Sequence, residues 1–300
     1  MFGNNTFFDK LKSICEAYAA YPLANHSTFK IGGKAEFAAF PKTADELCRI
    51  LSFAASCDVR VRVFGNASNV LFSSDGVSGL VIFTGQIKDL SAEGEYIRAS
   101  CGVKLSSLCN FALKNELSGA EFAFGIPGTV GGAVYMNAGA HGGEISHILV
   151  ESTCLNMCTG EILTLSASEH EFGYRKSIFE NGELLVLSSL FALKRDSAEE
   201  IEAKMKEYTE KRKASQPLSM PSAGSVFKRP AVGFSGKYIE DAGLKGFKIG
   251  GAQVSEKHAG FIVNAGGATS GDVLALIEKV KKVVSEKFGV MLETEIIYVE

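Results

Sequence analysis

Apolar positions along the chain change period several times, and each change marks an element. Leu11, Ile14, Cys15 and Tyr18 fall on one helical face and predict an amphipathic helix over residues 9–21, ended by the turn around Pro22. Residues 25–41 alternate polar and apolar as extended chain, interrupted at Gly32 and Gly33, a doublet that marks a bend or a close backbone approach. Thr43 and Glu46 form a capping box ahead of the helical stripe Leu47, Ile50, Leu51 and Ala54. Residues 60–65 alternate with period two and then give way to the small polar run GNASNVLFSSDG. Residues 79–84 and 95–103 read as strands, and Leu105, Leu108, Ala112 and Leu113 predict a helix ending near Gly119. Residues 148–165 and 183–194 alternate as strands on either side of EFGYRKSIF. A charged helix follows from Ser197 and Glu200 to about Lys213; its mixture of Glu and Lys reads as a solvated face, and it is the candidate domain junction. Val273, Ile277, Val280 and Val284 stripe a helix over 270–288, and LETEIIYVE reads as a closing strand. Strands and helices mixed at short spacing, without regular βαβ repetition, predict an α+β fold.

The stretch 124–144, FGIPGTVGGAVYMNAGAHGGE, holds seven glycines and a proline and is incompatible with a continuous helix. Val130, Val134, Tyr135 and Met136 are interleaved with those glycines, so the segment is packed and shaped; a flexible linker would be polar and Ser-rich. A loop with so few side chains presents backbone N–H groups, which cradle phosphate without any charged side chain. It is neither of the common nucleotide loops. Gly132 is followed by Ala133 and Val134 rather than the Lys-Ser/Thr of a P-loop, and GxGxxG is absent. The run GNASNVLFSSDG is a second ligand-binding turn or an ordinary Asn/Ser turn, and taken alone the ordinary turn is the better reading.

Composition narrows the classes. Three hundred residues with 46% hydrophobic content suffice for a large core and suggest two domains. A net charge of −3, with no Lys/Arg run, argues against nucleic acid. No apolar run reaches membrane-spanning length and the N-terminus lacks a signal-peptide core, which predicts a cytoplasmic protein. Seven scattered cysteines without CxxC pairs read as reduced thiols, and Cys154 and Cys158 as strand residues with no metal role.

The motifs STFKIGG, GNASNVLF, FGIPGTVGGAVYMNAGAHGGE, FGYRKSIF, PSAGSVFKRP, HAGFIVN and LETEI, in this order, resemble the UDP-N-acetylenolpyruvoylglucosamine reductases, flavoenzymes of bacterial peptidoglycan synthesis. PGTVGG also occurs in other flavin oxidoreductases of the vanillyl-alcohol-oxidase type; GSVFKRP, FGYRKSIF and LETEI narrow the resemblance to this family, in its shorter, second type. It implies an N-terminal helical segment at 1–25, a two-subdomain FAD-binding fold of the vanillyl-alcohol-oxidase (PCMH) type at 26–192, and a C-terminal α/β substrate-binding domain at 195–300. It implies non-covalent FAD, NADPH as co-substrate, UDP-N-acetylglucosamine enolpyruvate as the small-molecule substrate, no metal, and a monomer.

By the same resemblance Ser225 is the proton donor, Arg175 sits beside the developing enolate, and Glu295 completes the acidic side of the site. Glu293 and Glu295 share a strand face, so position alone does not choose between them. The FAD loops comprise Gly65, Asn66, Ala67, Ser68 and Asn69, and Gly125, Ile126, Pro127, Gly128, Thr129, Gly131, Gly132, Asn137, Ala138 and Gly139. Tyr174, Lys228, Arg229 and His258 are implied substrate contacts. Taken singly, Ser225 reads as a turn serine, Glu295 as a surface charge and Arg175 as an ion-pair partner; their joint occurrence in this order reverses that reading. One departure stands out: Ser215 precedes Gln216-Pro217 where the family often has a base, and Lys211, Arg212 or Lys213 are placed to compensate. Two rival readings remain. One is another FAD oxidoreductase of the same fold, acting on an alcohol or sugar, with His26 or His141 as a covalent flavin attachment. The other is a catalytically idle nucleotide-binding protein.

Overall fold

The structure, a computed structural model, describes residues 4–300. The start of the segment 1–25 therefore lies outside the described residues. Two compact units form, interleaved in sequence. The first takes the described residues up to Ala19 with Phe37–Asn66 and Gly79–Arg212, and the second takes Ala20–Glu36, Ala67–Ser78 and Lys213–Glu300. The chain therefore passes between units after Ala19, Glu36, Asn66, Ser78 and Arg212, whereas the divisions expected from sequence fell at 25/26 and 192–195.

The described helices are α1 (Asn4–Ile14), α2 (Ala44–Ser56), α3 (Leu105–Lys114), α4 (Val130–Tyr135), α5 (Ala198–Ser215), α6 (Ser235–Asp241) and α7 (Ser270–Phe288). In the first unit a five-stranded antiparallel sheet runs in the spatial order Ile162–Ser166, Leu149–Asn156, Leu184–Ala192, Tyr96–Ser100, Leu90–Glu93. A four-stranded sheet is ordered Glu16–Pro22, Lys34–Phe40, Val77–Phe83, Val61–Phe64. Leu47, Ile50, Leu80, Ile82, Ile97, Leu108, Val130, Val134, Val186 and Phe191 belong to one buried core, each fully buried side chain contributing about 1.5–3 kcal/mol.

The helix predicted over 9–21 is two elements. α1 ends at Ile14, and Glu16–Pro22 is an edge strand beside Lys34–Phe40. Tertiary pairing overrides the helical period there, because a free sheet edge recruits EAYAAYP. α3 likewise stops at Lys114, short of Gly119, since Leu117–Ser118 pairs with Lys194–Arg195.

The second unit carries the antiparallel sheet Ser222–Ser225, Phe261–Asn264, Ala252–Val254, Lys248–Ile249, and α7 covers it through Val273, Leu276, Ile277, Val280 and Val284. α7 is capped at both ends. Thr269 and Asp272 exchange side-chain to backbone hydrogen bonds of 3.1 and 2.9 Å, and Gly289 closes the helix at φ +68°. LETEIIYVE is a strand only over Ile297–Val299, paired in parallel with Val70–Phe72, so the polar run 65–76 also holds a strand.

A polar network crosses the core of the first unit. His170 is fully buried, its Nδ1 2.8 Å from the Ser166 carbonyl and its Nε2 2.9 Å from Ser152 Oγ, which lies 2.8 Å from Ser189 Oγ. A carbonyl only accepts, so Nδ1 carries the proton and Nε2 accepts from Ser152. Burial lowers the imidazole pKa and keeps the ring neutral. Unfolding then takes up a proton as pH falls below the ordinary value of about 6.5, so the contribution is complete above that value and is lost with acidification. Urea midpoints from pH 8 to 5 are expected to fall less steeply for His170→Gln than for wild type, by up to about 1.4 kcal/mol per pH unit. Parallel curves would remove His170 from the acid response.

Candidate active site

In the first unit Gly65 and Asn66, which open the first loop singled out from sequence, meet the Gly-rich stretch. Asn66 Nδ2 donates to the Pro127 carbonyl at 2.7 Å, and a Cβ on Gly65 would stand 2.0 Å from Thr129 Oγ1. Gly65 therefore has no tolerated replacement while Thr129 stays in place. Ala67 follows at φ +45°, a backbone state uncommon outside glycine, and is buried.

The Gly-rich stretch is tied to the core by its own backbone. Val130 and Gly131 donate to the carbonyls of Val103 and Cys101, both at 2.8 Å, and Leu105 N–H donates to the Gly128 carbonyl at 3.1 Å. The N–H groups of Val130 and Gly131 are thus committed within the protein. A Cβ on Gly131 would meet Cys101 Cβ at 3.0 Å, so this glycine serves the packing of α4. Gly132 is different: a Cβ there would find only Thr129 Oγ1, at 3.7 Å. Thr129 Oγ1 is itself a buried oxygen without a hydrogen-bond partner, at a residue 2% exposed. An orphaned hydroxyl beside an open glycine face suits a ligand that supplies the missing polar contact.

Asn137 joins this loop to the candidate arginine. It is 1% exposed, at φ +41°, and its side chain donates to Glu144 Oε1 at 3.1 Å and the Gly173 carbonyl at 3.0 Å while accepting from Ser146 N–H at 3.0 Å. The Glu144 carboxyl is held below its ordinary pKa, first by the Ser146 hydroxyl. Gly173 and Lys176 exchange backbone hydrogen bonds around the turn Tyr174-Arg175. Arg175 sits at the tip at φ +54°, and its guanidinium donates to the carbonyls of Gly139 at 3.0 Å and Asn137 at 3.4 Å. Its Cζ lies 5.3 Å from the centre of the half-exposed Tyr174 ring. Ala67, Asn137 and Arg175 all hold positive φ, and such strain collects at functional sites.

In the second unit the segments that carry Ser225 and Glu295, 70 positions apart in the chain, pair through their backbones. Glu295 N–H donates to the Val226 carbonyl at 2.7 Å, Lys228 N–H donates to the Glu293 carbonyl at 2.9 Å, and Phe227 bridges Thr294. Gly224 at φ +81° gives the strand an irregularity between Ser222 and Ser225, and Ser225 Oγ donates to the Phe227 carbonyl at 3.2 Å. Asn69 holds the other strand, Nδ2 donating to the Glu295 carbonyl at 3.0 Å and its own carbonyl accepting from Ile297 N–H at 3.0 Å. The two glutamates separate here. Glu293 is exposed, 3.8 Å from Lys228 Nζ, whereas Glu295 is half-buried.

His258 borders Ser225 across Gly260. A Cβ on Gly260 would lie 3.0 Å from the imidazole and 3.5 Å from Ser225 Oγ. Gly260 N–H donates to His258 Nδ1 at 3.1 Å, leaving the proton on Nε2, and burial lowers the imidazole pKa. Arg229 stacks over Phe234, Cζ to ring centre 4.7 Å. Gln216 Oε1 is buried without a partner, a candidate contact that no sequence motif had singled out. Of the two histidines near the loops, His26 lies 3.5 Å from the Tyr21 hydroxyl, and His141 stacks flat on Tyr208 with centroids 4.4 Å apart.

Residues 35–166 match the model of an FAD-binding domain, and residues 216–299 match that of the UDP-N-acetylenolpyruvoylglucosamine reductase C-terminal domain. The structure of Phl p 4, a grass pollen allergen with glucose dehydrogenase activity, superposes with a TM-score of 0.52 at 15% identity over 64% of this chain and 44% of that one. These place the chain among flavoproteins of the vanillyl-alcohol-oxidase fold, an α+β architecture with an added C-terminal domain. The crystal structure of the UDP-N-acetylenolpyruvylglucosamine reductase from Thermus caldophilus matches at a TM-score of 0.81 and 34% identity, covering 95% of this chain and 99% of that one. The UDP-N-acetylenolpyruvoylglucosamine reductase of Caldanaerobacter subterraneus subsp. tengcongensis is 47% identical over 291 residues, 96% of each chain. The chain belongs to the UDP-N-acetylenolpyruvoylglucosamine reductase family.

The orphaned hydroxyl gives the first test. Thr129→Val removes a buried polar atom that has no partner in the protein, so the flavin-free protein is expected to be as stable or more stable, by about 1–3 kcal/mol, while FAD affinity falls. Denaturant unfolding of the stripped protein and a flavin-fluorescence titration read the two effects. Unchanged FAD affinity would place that hydroxyl away from the cofactor.

Proposed function

We propose that this protein reduces UDP-N-acetylglucosamine enolpyruvate to UDP-N-acetylmuramate, with NADPH as electron donor, in bacterial cell-wall peptidoglycan synthesis. FAD, held non-covalently, supplies the hydride relay between NADPH and the enolpyruvyl alkene. Residues 26–192 provide the cofactor loops and residues 195–300 the sugar-nucleotide site, a functional division distinct from the two compact units. Gly65–Asn69 and Gly125–Gly139 would line the cofactor, with Gly132 and Thr129 offering the open face and the unpaired oxygen. The protein acts as a cytoplasmic monomer, and no described helix is long and apolar enough to cross a membrane.

The observation that supports the reading is the backbone pairing of 226–228 with 293–295 in one unit, in which Glu295 bonds to Val226, the chain neighbour of Ser225. Reduction of the alkene adds hydride at one carbon and a proton at the other. Ser225 is the proton donor. Its hydroxyl donates to the Phe227 carbonyl and would exchange that bond for the alkene carbon it protonates. Glu295, paired by its backbone with Val226, completes the acidic side of the site. Arg175 meets negative charge as it spreads into the substrate carboxylate; anchored on two backbone carbonyls, its planar fork needs little reorganisation. Tyr174, Lys228, Arg229 and His258 contact the substrate, the bases facing its diphosphate and carboxylate charges.

The two half-reactions separate at Ser225. Ser225→Ala is expected to leave bleaching of the flavin by NADPH intact and to slow reoxidation by the enolpyruvyl sugar by roughly 10²–10⁴-fold. Stopped-flow absorbance reads both steps in one sample. Near-normal reoxidation would remove Ser225 from proton delivery, and slowed bleaching at full FAD content would move its role to the nicotinamide site.

A further inference from the structure

α5 was expected to be a solvated face, yet one side of it is buried. Ile201, Met205, Tyr208 and Arg212 recur at spacings of four, three and four residues, which stacks them on one face of a helix. Ile201 and Met205 are core residues at 1% and 4% exposure, and Tyr208 packs at the core margin. Arg212 thus occupies the next position of an inward-facing stripe. Its side chain lies against the cofactor loop: a Cβ on Gly125 would stand 2.8 Å from Arg212 Cδ, 3.6 Å from Nε and 3.9 Å from a terminal nitrogen.

A guanidinium half withdrawn from water ordinarily has an anion beside it. Arg212 makes no hydrogen bond or ion pair among the described residues, and burial alone pulls its pKa down. Its neighbours on the helix are otherwise engaged. Lys211 pairs with Glu207 and reaches over the Tyr208 ring, and the exposed Lys213 belongs to the second unit. The charge of Arg212 is felt nearby, where, after burial itself, Lys211 and Arg212 lower the pKa of His141. An uncompensated cation lodged against a glycine-rich loop is in want of an anion.

We propose that Arg212 supplies the cation for the diphosphate of FAD, the backbone donors of the Gly125–Gly139 loop accounting for only part of that contact. The inference rests on the reading that this loop holds the cofactor. It also gives Gly125 a physical reason, since a larger residue there would push the guanidinium away. Arg212 is a binding residue, distinct from the groups that move the proton.

The experiment uses full-length protein stripped of flavin and titrated with FAD and, separately, with riboflavin, which lacks phosphate. Arg212→Gln is expected to weaken FAD binding by about 10- to 100-fold, the range of a charge-assisted contact, and to leave riboflavin binding unchanged. Arg212→Lys should recover part of the loss, and the FAD dissociation constant of wild type should rise with NaCl more steeply than that of Arg212→Gln. Equal FAD affinity in wild type and Arg212→Gln would overturn the proposal. So would equal losses for FAD and riboflavin, which would put the guanidinium on the isoalloxazine ring or in a packing role. If Arg212→Gln unfolds early, the comparison of Arg212→Lys with wild type across the salt series decides, because charge is retained and only the fork is lost. Failure of wild type to bind FAD at all would instead refute the cofactor reading of the loop.

Discussion

The close approach of Gly65 to Thr129 is the constraint on which the first unit depends. With no Cβ at 65, the end of the strand Val61–Phe64 can turn against the start of α4, and the Asn66 amide latches that turn to the Pro127 carbonyl. From there rigidity passes along the chain. Val130 and Gly131 are bonded to Val103 and Cys101, Asn137 is buried at the far end of α4, and its amide holds the turn that carries Arg175. The strand Val61–Phe64 and the Arg175 guanidinium are therefore linked through backbone segments and the hydrogen bonds that fix them. Such a linkage is how a long, flexible arginine acquires a defined position.

The asparagines of the cofactor loops share one physical role. Asn66, Asn69 and Asn137 each direct a side-chain amide at a backbone carbonyl, of Pro127, Glu295 and Gly173 respectively. They shape loops, and in the proposed reading the contact with a ligand falls to backbone, to Thr129 and to charged groups. Loops made this way satisfy their own polar atoms internally, so the few left unsatisfied, Thr129 Oγ1 and Gln216 Oε1, stand out against the rule that buried polar groups are paired. In the second unit the same economy pairs Glu295 with Val226 next to Ser225, with Gly224 supplying the irregularity in the serine's strand.

The patterning was most legible where a segment obeys one period and carries its own caps. α7 was read at its observed bounds from a regular apolar stripe, and α2 was announced by Thr43 and Glu46 ahead of its own stripe. Reading failed where a distant strand decided the outcome. EAYAAYP has helical spacing and became an edge strand, and α3 was cut short by pairing of Leu117–Ser118 with residues beyond 193. The charged composition of α5 hid its inward stripe, since two apolar residues, a tyrosine and an arginine make a weak signal among many Glu and Lys.

Local pattern and motif order sufficed for the α+β class and the family, and they pointed to the two loops and three residues on which the proposed chemistry rests. These are local properties: glycine density, capping pairs and ordered motifs persist whatever the chain does elsewhere. Packing settled which glycine faces open space and which faces Cys101, which of Glu293 and Glu295 is half-buried, and that Arg212 on α5 has no anion beside it among the described residues. Each of those outcomes depends on an atom contributed from dozens of residues away. Burial and hydrogen-bond satisfaction are properties of a packed neighbourhood, and no stretch of sequence contains its own neighbourhood.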